Sequence, residues 1–79
     1  MKDINLKDLD QQIVNLIKSK RREYNCLIVP EMDEDKFYIT VITCDCKLYE
    51  HQVVSEKHNT DCVCTGIMKW FRSHSNELK

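Results

Sequence analysis

Two Cys-x-Cys pairs carry the side chains of this chain with the most obvious chemistry. Cys44-Asp45-Cys46 is followed, sixteen residues after Cys46, by Cys62-Val63-Cys64, with His51 and His58 between them. Four thiolates can hold Zn²⁺ tetrahedrally, and an imidazole can replace one of them. Zinc ribbons and fingers, however, mostly use Cys-x2-4-Cys knuckles that wrap the ion. The intervening residues 46–54 also read as a strand, and at about 3.3 Å per residue its ends lie ~26 Å apart. No metal or cofactor is therefore expected. Zinc at Cys44, Cys46, Cys62 and Cys64 is the alternative to buried or partly buried structural thiols.

Nucleophilic chemistry is the next possibility. Cys62 or Cys64 in a first helical turn would have a lowered pKa, because the dipole there favours thiolate, and His58 is near enough in sequence to act as a base. No motif supplies a third group to orient the base, and a domain this small offers little cleft. The expectation is a protein without catalytic residues.

Charge points elsewhere. Lys18-Ser19-Lys20-Arg21-Arg22, with Lys69 and Arg72, is the basic concentration, and Glu31-Met32-Asp33-Glu34-Asp35 is the acidic one. The basic run suits the negative end of a helix dipole. The acidic run reads as a turn whose carboxylates a basic protein surface could meet. Tyr38 and Tyr49, with Trp70, are candidate interface anchors, since aromatic side chains dominate binding hot spots. The expected protein-binding residues are Glu31, Asp33, Glu34, Asp35, Tyr38 and Tyr49, and Tyr49 and Trp70 fit a core equally well.

The elements that must position these residues are legible from periodicity. Leu6, Leu9, Ile13, Leu16 and Ile17 recur at helical spacing and predict a helix from about residue 5 to 22, capped by Asn5 with Asp8 and Asp10 near the positive end of its dipole. Tyr24 to Met32 reads as a strand, finishing or at a sheet edge near Pro30, which cannot donate to a ladder. A loose four- or five-residue connection then leads to Lys36, since no Asn-Gly or Asp-Gly pair marks a tight hairpin. The run from Lys36 to Val54 is β-branched and aromatic, has no Gly or Pro, and is too long for one strand. It is expected to break at Cys44-Asp45-Cys46. Val63, Ile67, Phe71, His74 and Leu78 mark a second helix, capped by Asn59 or Thr60 and fraying from Ser73. Gly66 inside it would allow close packing on the sheet.

The predicted fold is α+β, in the order α-β-β-β-α, with a three-stranded antiparallel sheet covered on one face by two helices. At 79 residues, one domain spanning 1–79 is expected. Hydrophobic residues make up 42% and charged residues 32%, which argues against disorder, and the net charge of −1 gives no global field for nucleic acid. Neither a signal peptide nor a membrane span is visible, and five cysteines read as reduced thiols, so a cytoplasmic setting is expected.

This element order also describes the double-stranded-RNA-binding domain. That family carries a Lys-Lys-x-Ala-Lys type motif at its last helix, where this chain has Gly66-Ile67-Met68-Lys69-Trp70-Phe71-Arg72, so nucleic acid is not the expected partner. In topology the layout is similar to small phage-encoded inhibitors such as certain anti-CRISPR proteins, which pair an α-β-β-β-α body with acidic loops. That resemblance implies a non-enzymatic, cytoplasmic binder that blocks or regulates a host or defence protein. A small Cys-rich zinc-binding or RNA-associated domain is the alternative.

Overall fold

The computed structural model describes residues 2–3 and 9–78. In chain order the elements are β1 (Lys2–Asp3), α1 (Gln11–Tyr24), β2 (Cys26–Asp33), β3 (Lys36–Thr43), β4 (Leu48–Ser55), α2 (Thr60–Ser73) and α3 (Ser75–Leu78). The strands form one antiparallel sheet in the order β1-β2-β3-β4. The α-β-β-β-α fold expected from the sequence is thus present, with the two-residue β1 added beside β2.

The first helix begins later than its apolar spacing predicted. Asp10 is the N-cap and its carboxylate accepts from the Gln12 backbone N–H, so Leu9 precedes the helix. A short acidic side chain at this position satisfies one of the orphan donors of the first turn. The expected cap Asn5, and Asp8, lie outside the described residues. At the other end Asn25 takes the left-handed conformation, and the chain turns directly into β2. Ile13, Val14 and Ile17 are the buried face of α1.

Strand parity sorts the sheet into two faces. Cys26, Ile28, Phe37, Ile39 and Val41 point to the helices and form the core with Ile13, Ile17, Val63, Ile67, Trp70 and Phe71. Pro30 does not end β2: it lies within it opposite Ile39, and the strand continues to Asp33. The connection to β3 is tighter than expected. Asp33 pairs with Lys36, leaving Glu34 and Asp35 as a two-residue turn in which Glu34 adopts φ 50°. The long β-rich run breaks where predicted, at residues 44–47. There the Thr43 hydroxyl bonds to the Asp45 carboxylate and accepts from the Lys47 N–H.

Asn59 caps α2, accepting from the Asp61 and Cys62 N–H groups. Gly66 lies against β4 so closely that a Cβ built on it would fall 1.6 Å from the Val54 carbonyl oxygen. Where fraying was expected from Ser73, Ser75–Leu78 forms the short helix α3. Trp70, Tyr49 and His74 make an aromatic cluster under β4, with Trp70 stacked on His74 at 4.0 Å and edge-on to Tyr49 at 5.4 Å. Among the described residues, no helix is long and apolar enough to cross a membrane.

Candidate functional site

The face of the sheet turned away from α1 and α2 carries an unusual arrangement. Glu31 sits on β2 with that parity, yet it is only 5% exposed. Its burial is tolerated because both carboxylate oxygens are satisfied. The Thr40 hydroxyl donates to Oε1 at 2.7 Å, and His51 Nδ1 lies 2.6 Å from Oε2. When Glu31 is ionised its carboxylate only accepts, and the donor in this bond is then Nδ1–H. Thr40 Oγ1 also accepts from the His51 backbone N–H at 3.2 Å. Carboxylate, hydroxyl, peptide and imidazole form a closed ring across three strands.

A bulge makes this possible. Ile39 pairs with Gln52 and Val41 with Tyr49, so Glu50 and His51 together oppose Thr40. His51 adopts φ 51°, a left-handed conformation that costs a non-glycine residue about 1 kcal/mol. Consecutive strand residues normally point to opposite faces, but a bulge re-aims one of them. Here Glu50 and His51 share the open face, with Nε2 of His51 lying 3.8 Å from Glu50 Oε2.

Around this polar centre lie apolar side chains. Leu27, Ile42 and Leu48 form a row across β2, β3 and β4, and Tyr38 stands beside Val53 in the next row but one. Leu27, Leu48 and Val53 are 60%, 57% and 45% exposed. Asp33, Glu34 and Asp35 are exposed at the turn that ends this surface.

Two expected binding residues are placed otherwise. Glu31 is not part of a solvated acidic turn, because β2 extends past it and its carboxylate is closed off by Thr40 and His51. Tyr49 is on the opposite face, where the bulge leaves it packed on Trp70 and His74, and Trp70 itself is core with Nε1 donating to Gln52. Tyr38 does lie on the open face. Leu27, Leu48, Val53 and the Glu31–Thr40–His51 ring were missed. The alternation of Leu27, Val29 and Glu31 held the signal for which residues share a face, but the partners on other strands did not.

The cysteine pairs are not brought together. Cys44 and Cys46 lie in the connection before β4, and Cys62 and Cys64 in the first two turns of α2 after it, with the whole eight-residue strand between. Cys44, Cys46 and Cys62 are exposed rather than buried or partly buried, since two fall in a turn and the third on the outer side of α2; only Cys26 is buried, with Cys64 intermediate. The thiolate expected at the start of the second helix is not favoured at Cys64. Burial pushes its pKa up, and the Asp10 and Asp61 carboxylates push it further. His58 places Nε2 near the Lys36 carbonyl oxygen, at 3.3 Å. Among the described residues, no group of three or more His, Cys, Asp or Glu side chains is arranged to hold a metal ion.

The basic run is partly committed to the fold. Arg21 donates to the Ile28 carbonyl, tying α1 to β2, and Lys20 pairs with Glu23 at 3.0 Å. Lys18 and Arg22 line an open surface hollow on α1 with Asn15, Ser19 and Glu23. Compared with protein-family models, curated proteins and solved structures, the chain matches none.

Proposed function

We propose that this chain is a non-enzymatic protein-binding module that docks through the open face of its sheet and blocks or regulates its partner. The observation that carries this reading is the exposure of Leu27 and Leu48, which flank Ile42 in one row of this face, and of Val53, which stands beside Tyr38 in the next row but one. Large aliphatic side chains left in water on one sheet face have a free-energy reason to be covered, and exposed apolar patches mark interaction surfaces. Of the Glu31–Thr40–His51 ring, the half-exposed His51 side chain offers a polar group within that face. Asp33, Glu34 and Asp35 at its end steer encounter with a basic partner. A phage-type inhibitor acting on a host or defence protein in the cytoplasm is the specific form of this reading. It rests on the outline of an α-β-β-β-α body with an acidic turn, and on five thiols suited to a reducing compartment.

Affinity capture with mass spectrometry, followed by surface plasmon resonance on the purified partner, tests it. Leu27→Lys and Leu48→Lys change exposed side chains, so the fold survives while binding weakens about tenfold or more. Combining Asp33→Lys, Glu34→Lys and Asp35→Lys slows association and inverts its salt dependence. A captured protein that binds the leucine variants as tightly as the original would remove the open face from the interface.

A further inference from the structure

We propose that Cys26 and Cys44 form a reversible oxidation site, a pair that a hydroperoxide closes into a disulfide and a small thiol reopens. Cys26 is the first residue of β2 and pairs across the ladder with Thr43, the last residue of β3. Cys44 follows Thr43 directly, so it stands diagonally across from Cys26. With strands about 4.8 Å apart and a rise of about 3.4 Å per residue, their Cα atoms lie roughly 6 Å from each other. Disulfides are found most often at about that Cα separation. Strand parity would aim the two side chains at opposite faces. It does not bind Cys44, because the strand has ended. The Cys46 N–H donates to the Thr43 carbonyl at 3.0 Å, which makes Cys44 the first corner residue of a β-turn. Both cysteines line one surface hollow, together with Asn25, Leu27, Ile42 and Thr43. The electrostatics agree. Burial chiefly raises the Cys26 pKa, Arg21 offsets part of the rise, and Cys44 adds to it, so the two thiols feel each other's charge.

Exposure divides the roles. Cys44 is exposed and meets the oxidant first, whereas Cys26 is buried and shielded from direct attack. The Cys44 thiolate attacks the O–O bond of the hydroperoxide and becomes a sulfenic acid. The departing alkoxide takes up the proton that the thiol had given to solvent, and leaves as an alcohol (water, from hydrogen peroxide). The Cys26 sulfur then attacks the Cys44 sulfur. The S–S bond forms, the S–O bond breaks, and the hydroxide leaves as water with the Cys26 proton. Two thiols and one hydroperoxide thus become one disulfide, one alcohol and one water, with two electrons passing from sulfur to oxygen. Exchange with a small thiol reverses the step, since one sulfur of the pair sits at an exposed turn. A transient bridge of this kind is the form that disulfides take in reducing compartments.

The test treats the reduced, folded full chain with an equimolar amount of hydrogen peroxide, then blocks the remaining thiols with N-ethylmaleimide, first folded and then unfolded. Unreduced tryptic peptides are read by mass spectrometry. Residues 23–36 carry Cys26, and residues 37–47 carry Cys44 with Cys46. The expected result is that these two peptides of one chain are joined, two hydrogens lighter than their sum, and that dithiothreitol separates them. Cys46→Ser should keep the link, which assigns it to Cys44. Cys44→Ser should abolish the link and leave Cys26 a free thiol. Both changes fall on exposed turn residues, so the fold survives them. A Cys44–Cys46 bridge, a bridge only between chains, or a Cys26 link that survives Cys44→Ser or is lost in Cys46→Ser would each overturn the site. So would Cys44 untouched by peroxide, or halted as a sulfenic or sulfinic acid beside a free Cys26.

Discussion

Replacing Gly66 by alanine should be among the most damaging single-methyl changes available to this protein. On an exposed helix the same substitution is favourable by about 1 kcal/mol, since glycine is the poorer helix former. Here the new Cβ would meet the Val54 carbonyl oxygen at 1.6 Å and its carbon at 2.6 Å. Ordinary van der Waals contact begins near 3.4 Å, so α2 or β4 must give way by about 1.8 Å along that line. Both neighbours are backbone, and no side-chain rotation relieves the clash. A gap of 0.5–1 Å already forfeits roughly a quarter to a half of a dispersion contact. Val63, Ile67, Trp70 and Phe71, the buried face of α2, all ride on this approach. Overpacking of this kind costs about 1–3 kcal/mol and occasionally more, and the absence of a flexible neighbour puts Gly66 at the upper end. After the helix-propensity gain, a net loss of about 2 kcal/mol remains. For a domain of this size that lowers the melting temperature by roughly 8–16 °C. Thermal unfolding followed by circular dichroism measures it, with Thr65→Ala, an exposed neighbour on the same helix, as the control that should be neutral or stabilising. A Gly66→Ala protein with an unchanged or raised melting temperature would refute the close seating of α2 on β4.

Two other expectations concern the turns and the thiols. Glu34 holds φ 50° in a two-residue turn, and asparagine tolerates that conformation better, so Glu34→Asn should raise stability by a few tenths to about 1 kcal/mol, read from the midpoint of a urea transition. Burial raises the pKa of Cys26, an effect the Arg21 guanidinium partly offsets, and burial likewise raises that of Cys64. Thiolate is the reactive form, so with iodoacetamide at pH 8 Cys44, Cys46 and Cys62 should be modified first, Cys64 later, and Cys26 only as the protein unfolds. Peptide mass spectrometry over a time course gives the order, and early labelling of Cys26 would contradict its place in the core.

Much of the architecture is written in local pattern. The three- and four-residue spacing of Ile13, Leu16 and Ile17, and of Val63, Ile67 and Phe71, specifies two helices and their buried faces without reference to anything distant. The β-branched run from Lys36 and its interruption at Cys44-Asp45-Cys46 specify two strands in the same way. Even the role of Gly66 followed from a glycine inside an otherwise apolar helix, although its contact with Val54 needed the fold. Errors of local reading came where two signals competed. Leu9 continues the apolar spacing of α1, but Asp10 caps more effectively than it extends a helix. Asp33 and Lys36 close a hairpin despite an unfavourable residue between them, because pairing along two whole strands outweighs about 1 kcal/mol of strain in the turn.

The candidate site was legible only in fragments. The chain by itself implied a sheet covered by helices on one face only, since two amphipathic helices of this length cover one face of three strands, and it offered Tyr38 as a candidate binding residue. It could not determine that Glu31, read from its neighbours as part of an acidic turn, would be the buried centre of that face. Nor did it place Tyr49 beneath the sheet. Both outcomes depend on register, which is a relation between strands: Glu31, Thr40 and His51 are separated by nine and eleven residues and meet because of how β2, β3 and β4 align. One inserted residue opposite Thr40 then reverses the parity of β4 on either side of it. Such a bulge is stabilised by the hydrogen bonds it allows across the sheet, so its cause lies outside the strand in which it occurs.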